Sequence, residues 1–453
     1  MPLVTLVPVL HSLLLSLAVV FSKPQRRHFD NYIQSLICQD HRRTLSAMSR
    51  HVLDGPDRSN WDRFVTASPW ELPALNRAWR RYLRRELRRL KPTGKRIGGR
   101  QVDFLIFDDT DHPRTGPCLE GANYHYVHSK GGTRFGHCLV TGVYVTGDYP
   151  FAYSCDPYVR QVDVTALNAC WEAHGKEPRL CFRSKTELVV AQIDAFVPLR
   201  PGREVFVLLD SWYVNPQTVG AARRKGLDWC GALKSNRVAY LLDLAPETGE
   251  IHSEKKVPLA ALLSEAAVPA ESQAYVVGTA LQPVWIGERQ FQVTVYRARL
   301  PRLGAVQLVI VRERYRDGRY SPFVALSTNR IDLLASEVVE VYLQRWAIEV
   351  MHRDLKQNLG LTDCQVRPLA GTERHWTLAF VAQGLLTLLR LRADQGEVRT
   401  ASGRPVASVG KTLGEVRQFV QQCAVVELLR WACEQAVQGR SVEEIATRLN
   451  LPA

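Results

Sequence analysis

Residues 342–356 read Tyr342-Leu-Gln-Arg345-Trp-Ala-Ile-Glu349-Val-Met-His-Arg-Asp-Leu-Lys356. No residue type in this stretch breaks a helix, and apolar side chains recur close to helical spacing. Tyr342, Arg345, Glu349 and Lys356 are spaced so that they return to one side of a helix. That face would carry a carboxylate between two cations and a phenol. A carboxylate can bind a divalent metal ion while Arg and Lys bind phosphates, although a solvated face with ordinary ion pairs has the same pattern.

The overall charge indicates an anionic partner. The 453-residue chain has a net charge of +14, from 59 Lys and Arg against 45 Asp and Glu. Nucleic acid is the leading candidate, ahead of an acidic membrane. The ten cysteines form no C-x-x-C pair and no Cys pair accompanied by a spaced His pair. This argues against a zinc site or a disulfide framework and fits a reducing cytoplasm.

An uncharged segment, residues 3–21, raises the question of a signal peptide or a membrane anchor. No positively charged segment precedes it, and no clear cleavage site follows it. Five residues that fall three or four apart give it a polar stripe: Thr5, Pro8, His11, Ser12 and Ser16. We therefore expect an amphipathic helix packed on the body of a cytoplasmic protein, without a membrane segment.

Residues 71–90 predict a helix with two unlike faces. One face is apolar, and the other carries seven arginines with Glu86 among them. Surface helices are often basic, but this density of arginine is greater than solubility requires and favours contacts with phosphates. The phosphate-binding candidates on this face are Arg81, Arg84, Arg85 and Arg88.

Two apolar strands lead directly into acidic residues. Residues 102–107 are followed by Asp108 and Asp109, and residues 205–209 are followed by Asp210. A hairpin, a helix and further short strands predicted around them favour a mixed sheet covered on both faces. In an open α/β sheet, acidic residues at strand ends lie where the site is usually found. The polar loop predicted after the first strand contains Lys130, another candidate for a phosphate contact.

These three stretches resemble the motifs of one family. The spacing Tyr-x2-Arg-x3-Glu-x6-Lys over residues 342–356 matches, without a gap, the signature of a large group of DDE insertion-sequence transposases. Residues 210–213 (Asp-Ser-Trp-Tyr) are similar to their second acidic segment, and residues 108–110 to their first. The resemblance implies an α/β protein with a ribonuclease-H-like mixed sheet that is flanked by helices and interrupted by a β-rich insertion.

The resemblance and the composition together predict five regions. They are an N-terminal helical, basic DNA-binding region (1–95), the first part of the ribonuclease-H-like catalytic domain (96–235), the β-rich insertion (236–330), the second part of the catalytic domain with the Glu349 helix (331–392), and a linker with C-terminal helices (393–453).

The expected metal ligands and catalytic residues are Asp108, Asp210 and Glu349. Three carboxylates can hold two divalent cations for in-line displacement at phosphorus, and hard oxygen ligands favour Mg²⁺, with Mn²⁺ as a possible substitute. Asp109 stays an alternative to Asp108, because neighbours on a strand point to opposite faces and both faces are largely apolar here. The family's first acid is commonly followed by one variable residue and then Thr or Ser. The sequence Asp108-Asp109-Thr110 therefore favours Asp108.

The resemblance also implies partners and an activity. Tyr342, Arg345 and Lys356 would contact DNA phosphates near the cleaved end. The expected function is that of a transposase that binds the terminal repeats of an insertion element in double-stranded DNA and catalyses metal-dependent cleavage and strand transfer. Pairing of two ends implies a homodimer in the synaptic complex, associated with the nucleoid. A ribonuclease-H-like nuclease without strand transfer is the alternative.

Overall fold

The first part of the chain is helical. The computed structural model describes residues 2–116, 118–127, 131–245, 250–264, 269–399 and 403–449. Its first five helices are α1 (Pro8–Leu15), α2 (Lys23–Cys38), α3 (Leu45–His51), α4 (Arg58–Thr66) and α5 (Leu72–Leu90). Pro occupies the first turn of α1, α2 and α5, where its missing N–H leaves no hydrogen bond unmade.

The N-terminal apolar segment packs on the body of the protein, as expected, but its helix is short. α1 has eight residues and buries Leu10, Leu13 and Leu14, and a separate 3₁₀ turn spans Ala18–Val20. Within the described residues, no helix has both the length and the apolar character needed to cross a membrane.

Helix α5 has the two faces that the sequence predicts. Leu75, Trp79 and Leu83 are buried, whereas most of the arginines are at least partly exposed. The ring of Trp79 packs so closely on Gly384 that a Cβ at that glycine would lie 2.1 Å from the ring. Trp79 also donates a hydrogen bond from Nε1 to the carbonyl of Ala152 at 3.2 Å. The apolar face is therefore fixed against the body, and the arginine face is left outside.

A mixed sheet follows. Its strands are β1 (Lys95–Ile97), β2 (Arg100–Pro113), β3 (Asn123–Val127), β4 (Gly132–Thr146), β5 (Tyr149–Tyr158), β6 (Glu204–Leu209) and β7 (Asp228–Leu233), and its helices are α6 (Gln161–Ala173), α7 (Lys185–Asp194) and α8 (Pro216–Arg224). β2 and β4 are antiparallel, β4 and β5 are antiparallel, and β2, β6 and β7 are parallel. A mixed sheet flanked by helices is consistent with the expected ribonuclease-H-like fold.

Strand β2 extends further than predicted. The sequence predicts a polar loop from residue 111, but β2 continues to Pro113 because β4 pairs with it throughout, from Phe104 opposite Val145 to Pro113 opposite Gly136. Asp108 and Asp109 therefore lie inside a strand and are held by its ladder of hydrogen bonds. Lys130 lies outside the described residues.

The sheet continues into the β-rich segment. This segment contains β8 (Val238–Leu244), β9 (Ile251–Pro258), α9 (Leu259–Leu262), β10 (Gln282–Ile286), β11 (Arg289–Leu300), β12 (Gly304–Arg314) and β13 (Val324–Thr328). β13 pairs antiparallel with β7, so the described strands form one 13-stranded sheet. The sequence also predicts a strand at 275–278, and this prediction is wrong. A 3₁₀ helix spans Ala270–Tyr275, and Val276 makes an isolated bridge to Tyr296. The five domain boundaries stay predictions.

The remaining helices are α10 (Ala335–Leu343), α11 (Trp346–Asn358), α12 (Leu369–Asp394), α13 (Leu413–Val437) and α14 (Val442–Arg448). The single helix predicted through residues 342–356 is wrong, because the chain turns between α10 and α11. Gln344 and Arg345 bond to the carbonyls three residues earlier, as do Ala347 and Ile348, and such tight 3₁₀ bonding interrupts the α-helical ladder. Tyr342 therefore belongs to α10, and Glu349 and Lys356 belong to α11.

Candidate active site

Strand register brings Asp108 and Asp210 together. Ile106 on β2 lies opposite Leu208 on the parallel strand β6. Asp108 and Asp210 each come two residues later, so they lie side by side and on the same face of the sheet. Burial and the neighbouring charge of Asp210 raise the pKa of Asp108 to about 7. Each carboxylate disfavours the charged form of the other, and a cation beside them would favour the charged form of both.

The loop after β6 fixes the second carboxylate. Asp210 accepts hydrogen bonds at Oδ1 from the backbone N–H groups of Trp212 at 3.0 Å and Tyr213 at 2.9 Å. An Asp that bonds the backbone two and three residues ahead closes a tight turn and orients its own carboxylate. Burial raises the pKa of Asp210 despite these two bonds.

Arg345 links the third predicted acid to the first. Its guanidinium lies 3.2 Å from Asp108 Oδ2 and also donates to Glu349 Oε1, one turn further along α11. The side chain of Arg345 is 19% exposed, compared with 21% for Asp108. Burial raises the pKa of the adjacent Tyr342 to about 12, so its phenol stays protonated. The structure thus connects Asp108 and Glu349 through one cation.

Asp109 has a different environment from Asp108. Tyr213 donates its hydroxyl to Asp109 Oδ1 at 2.9 Å, and Lys185, the first residue of α7, lies 2.6 Å from Oδ2. The thiol of Cys138 on β4 also contacts Oδ2, at 3.5 Å. Both oxygens of Asp109 are therefore occupied by side chains of the protein, and these contacts tie β2, β4, α7 and the loop after β6 together.

Lys356 pairs with an acid that the sequence did not single out. Its Nζ lies 3.0 Å from Asp111 Oδ1, and Arg134 lies 3.2 Å from Asp111 Oδ2. Asp111 follows Asp109 by two residues on β2. If the segment had been predicted as a strand, the alternation of side chains would have placed Asp111 on the same face as Asp109.

A histidine of α11 also supports the backbone of Asp108. The hydroxyl of Thr141 on β4 donates to the carbonyl of Asp108 at 3.1 Å and lies 2.7 Å from His352 Nε2. Burial lowers the pKa of His352 to about 3, so the ring is neutral. His352 lies three residues after Glu349, so the two side chains lie on the same side of α11.

The arginines of α5 do not belong to this cluster. Arg81, Arg85 and Arg88 are exposed and Arg84 is partly buried. Arg85 donates to the hydroxyl of Ser16 at 3.0 Å. Helix α5 packs beside α12, whereas the carboxylates are carried by β2, the loop after β6 and α11. The structure therefore separates a basic surface from an acidic cluster.

The donor set is suited to a hard cation, although its present arrangement is not that of a closed metal site. Across the described part of the chain, no three His, Cys, Asp or Glu side chains are grouped so that they could hold a metal ion. The guanidinium of Arg345 engages Asp108 and Glu349 at once. The carboxylate oxygens of Asp108, Asp210 and Glu349 are of the type that Mg²⁺ prefers.

Comparison with known proteins identifies the class. The family described as "DDE superfamily endonuclease" matches residues 16–275, which contain Asp108 and Asp210. The family described as "Transposase DDE domain" matches residues 184–385, which contain Asp210 and Glu349. Because the first match covers more than half of the 453 residues, the protein belongs to the DDE superfamily endonucleases. No curated protein matches the chain.

Proposed function

We propose that this protein is a DNA transposase that binds the ends of an insertion element and catalyses DNA cleavage and strand transfer. The register of β2 and β6 carries this proposal, since it gathers Asp108 and Asp210 at one place, with Glu349 tied to Asp108 through Arg345. The family match supports nuclease chemistry on DNA. The transposase signature on α10 and α11 supports strand transfer in particular.

We assign Asp108, Asp210 and Glu349 as the ligands of Mg²⁺, for which Mn²⁺ could substitute. When bound, the divalent ions supply activation of a water or 3′-hydroxyl nucleophile and stabilisation of the leaving oxygen. The pKa of Asp108, raised to about 7, indicates that this pair of carboxylates gains from a nearby cation. Arg345 engages Asp108 and Glu349 in the structure, so these two carboxylates would be free to hold a divalent ion only after its guanidinium had moved away.

The cations around the cluster are assigned to DNA. Once Arg345 is released from Asp108 and Glu349, it can bind a phosphate with two parallel hydrogen bonds. Tyr342 lies at the end of α10 beside Arg345, and Lys356 lies about three turns further along α11. Both would contact phosphates of the bound DNA. Lys185 neutralises Asp109 and keeps that carboxylate from adding a further negative charge near the DNA.

The basic face of α5 is assigned to the double-stranded DNA beyond the cleaved end. Arg81, Arg84, Arg85 and Arg88 are the proposed contacts, with Lys130 as a further one. The N-terminal region would thus bind the terminal repeat while the sheet holds the cleavage site. Two ends must be joined in one reaction, so we propose that the protein acts as a homodimer in the synaptic complex.

The proposal is tested with duplexes that carry candidate element ends, incubated with the protein and Mg²⁺. We expect breaks at the end sequence that are absent with Asp210→Asn. A second reaction offers a pre-cleaved end with a free 3′-hydroxyl and a target plasmid. Joined products support a transposase. End-specific breaks without joining would support the alternative, a metal-dependent DNA nuclease, and no breaks at all would contradict both.

A further inference from the structure

Trp212 protrudes from a loop that is otherwise fixed. It lies two residues after Asp210, and 52% of its surface is exposed. The next two residues, Tyr213 and Val214, are fully buried. Arg237 holds the carbonyl of Val214, and Asp210 holds the N–H of Trp212 itself. The backbone thus places a large indole in solvent at a defined position beside the carboxylates.

Lys234 covers one side of this indole. Its Nζ lies 4.1 Å from the centre of the Trp212 ring, a distance typical of a cation–π contact. Lys234 comes directly after β7, whose Gly231 lies opposite Leu209 of β6. Since β6 and β7 are parallel, Lys234 and Trp212 leave the sheet at the same edge as Asp210. An aromatic ring and an ammonium group therefore stand together next to the candidate catalytic centre.

This pair matches the chemistry of a nucleotide. A base can stack on an exposed indole, and stacking on aromatic side chains contributes to binding whatever the base is. The ammonium group of Lys234 can bind the phosphate attached to that nucleotide. A protein partner could also cover an exposed tryptophan, but the position beside Asp210 and the paired lysine favour an anionic partner with aromatic groups.

We propose that Trp212 is a stacking platform for a nucleobase of the DNA strand at the cleavage site, with Lys234 binding the neighbouring phosphate. This inference rests on the proposed function, because it takes DNA as the substrate of the Asp210 site. Trp212 and Lys234 would act as positioning residues, since they hold the nucleotide whose phosphate faces the carboxylates.

The test separates base contacts from phosphate contacts. Binding of fluorescein-labelled oligothymidylate is compared with binding of an abasic strand of the same length, by anisotropy and with EDTA present. We expect the wild-type protein to bind oligothymidylate at least about fivefold more tightly, the lower bound for one stacked base. Trp212→Ala should bring the two dissociation constants together, and Trp212→Phe should keep most of the difference. Lys234→Gln should weaken binding of both strands by a similar factor.

Trp285 provides the matched control, since it is 63% exposed and lies on β10, which is separated from β7 by β13, β12 and β11. Trp285→Ala should leave the base preference unchanged. The proposal is overturned if Trp212→Ala keeps the preference, if Trp285→Ala removes it, or if the wild-type protein shows none. Because the assay excludes metal ions and measures no cleavage, its failure is distinguishable from failure of the transposase proposal, which the Asp210→Asn comparison decides.

Discussion

Two regions of the molecule gather like charges, but they do so in different surroundings. At the candidate active site, burial and the charge of Asp210 raise the pKa of Asp108 to about 7. On α5, by contrast, Arg77, Arg81 and Arg88 are exposed to solvent. Water screens repulsion between exposed charges, whereas partly buried charges repel more strongly. A partly buried pair of carboxylates therefore favours one counterion at one position. An exposed row of arginines can instead contact many phosphates without fixing the position of each.

The largest expected effect comes from removing one carboxylate of the candidate active site. Glu349→Gln keeps the size of the side chain and its helix propensity but weakens metal binding. We expect cleavage to fall by more than about 100-fold, beyond the usual cost of losing a group that only supports a metal ligand, while DNA binding is retained. Gel-based cleavage and anisotropy would measure the two.

Glu340→Gln is the control for this variant, because Glu340 lies on the neighbouring helix α10, where it pairs with Lys95 at 3.6 Å. It should cleave DNA normally. Cleavage by Glu349→Gln at the wild-type rate would remove Glu349 from the site.

The next comparison is between the two neighbouring acids of β2, Asp108 and Asp109. We expect Asp108→Asn to abolish cleavage. Asp109→Asn should keep measurable cleavage but unfold at a lower temperature, because it loses the ion pair with Lys185 that ties β2 to α7. Cleavage rates and thermal unfolding of both variants provide the test. If cleavage is lost in Asp109→Asn and near normal in Asp108→Asn, the assignment is reversed.

The arginine face should respond to salt and leave the chemistry intact. Changing Arg81, Arg84, Arg85 and Arg88 together to Gln removes up to four phosphate contacts. Since each contact contributes about 0.9 to the slope of log K against log salt for duplex DNA, we expect the slope to flatten by about three units. Titrations at several salt concentrations would measure it.

An equal number of exposed arginines elsewhere serves as the control. The variant with Gln at Arg302, Arg314, Arg316 and Arg319 has the same net charge and should keep nearly the wild-type slope. If both variants flatten the slope equally, net charge explains the effect, and α5 has no special role.

The smallest expected effect is on stability and depends on pH. Asp108 has a pKa of about 7 in the folded protein and an ordinary value near 3.8 when unfolded. The folded state thus holds its proton more tightly, so this group's contribution is fully present below about pH 4 and is lost as pH rises toward 7. Asp108→Asn does not titrate. With EDTA present, its melting temperature relative to wild type should be higher by a few degrees at pH 8 than at pH 4. If the difference in melting temperature between the two proteins does not change with pH, the pKa of Asp108 is not raised in the folded protein.

Local periodicity was enough for the elements that carry the chemistry. The continuous apolar runs before Asp108 and Asp210 predicted β2 and β6, and alternating apolar and basic faces predicted α5. The same periodicity did not predict β8, β9 and β10. Partly exposed strands such as β9 carry many polar residues, and pairing with a neighbouring strand holds them in place. The turn between α10 and α11 also escaped prediction, since no Gly or Pro marks it.

The sequence by itself determined which residues could act: carboxylates after apolar strands, a signature of cations around Glu349, and a basic helix. Tertiary structure decided how they are used. Asp109 is occupied by Lys185 and Tyr213, 76 and 104 residues away along the chain, and Arg345 reaches across 237 residues to Asp108. Such pairings depend on strand register and on the packing of α7 and α11 against the sheet, and no local pattern of residues encodes the distance between two side chains that far apart in sequence.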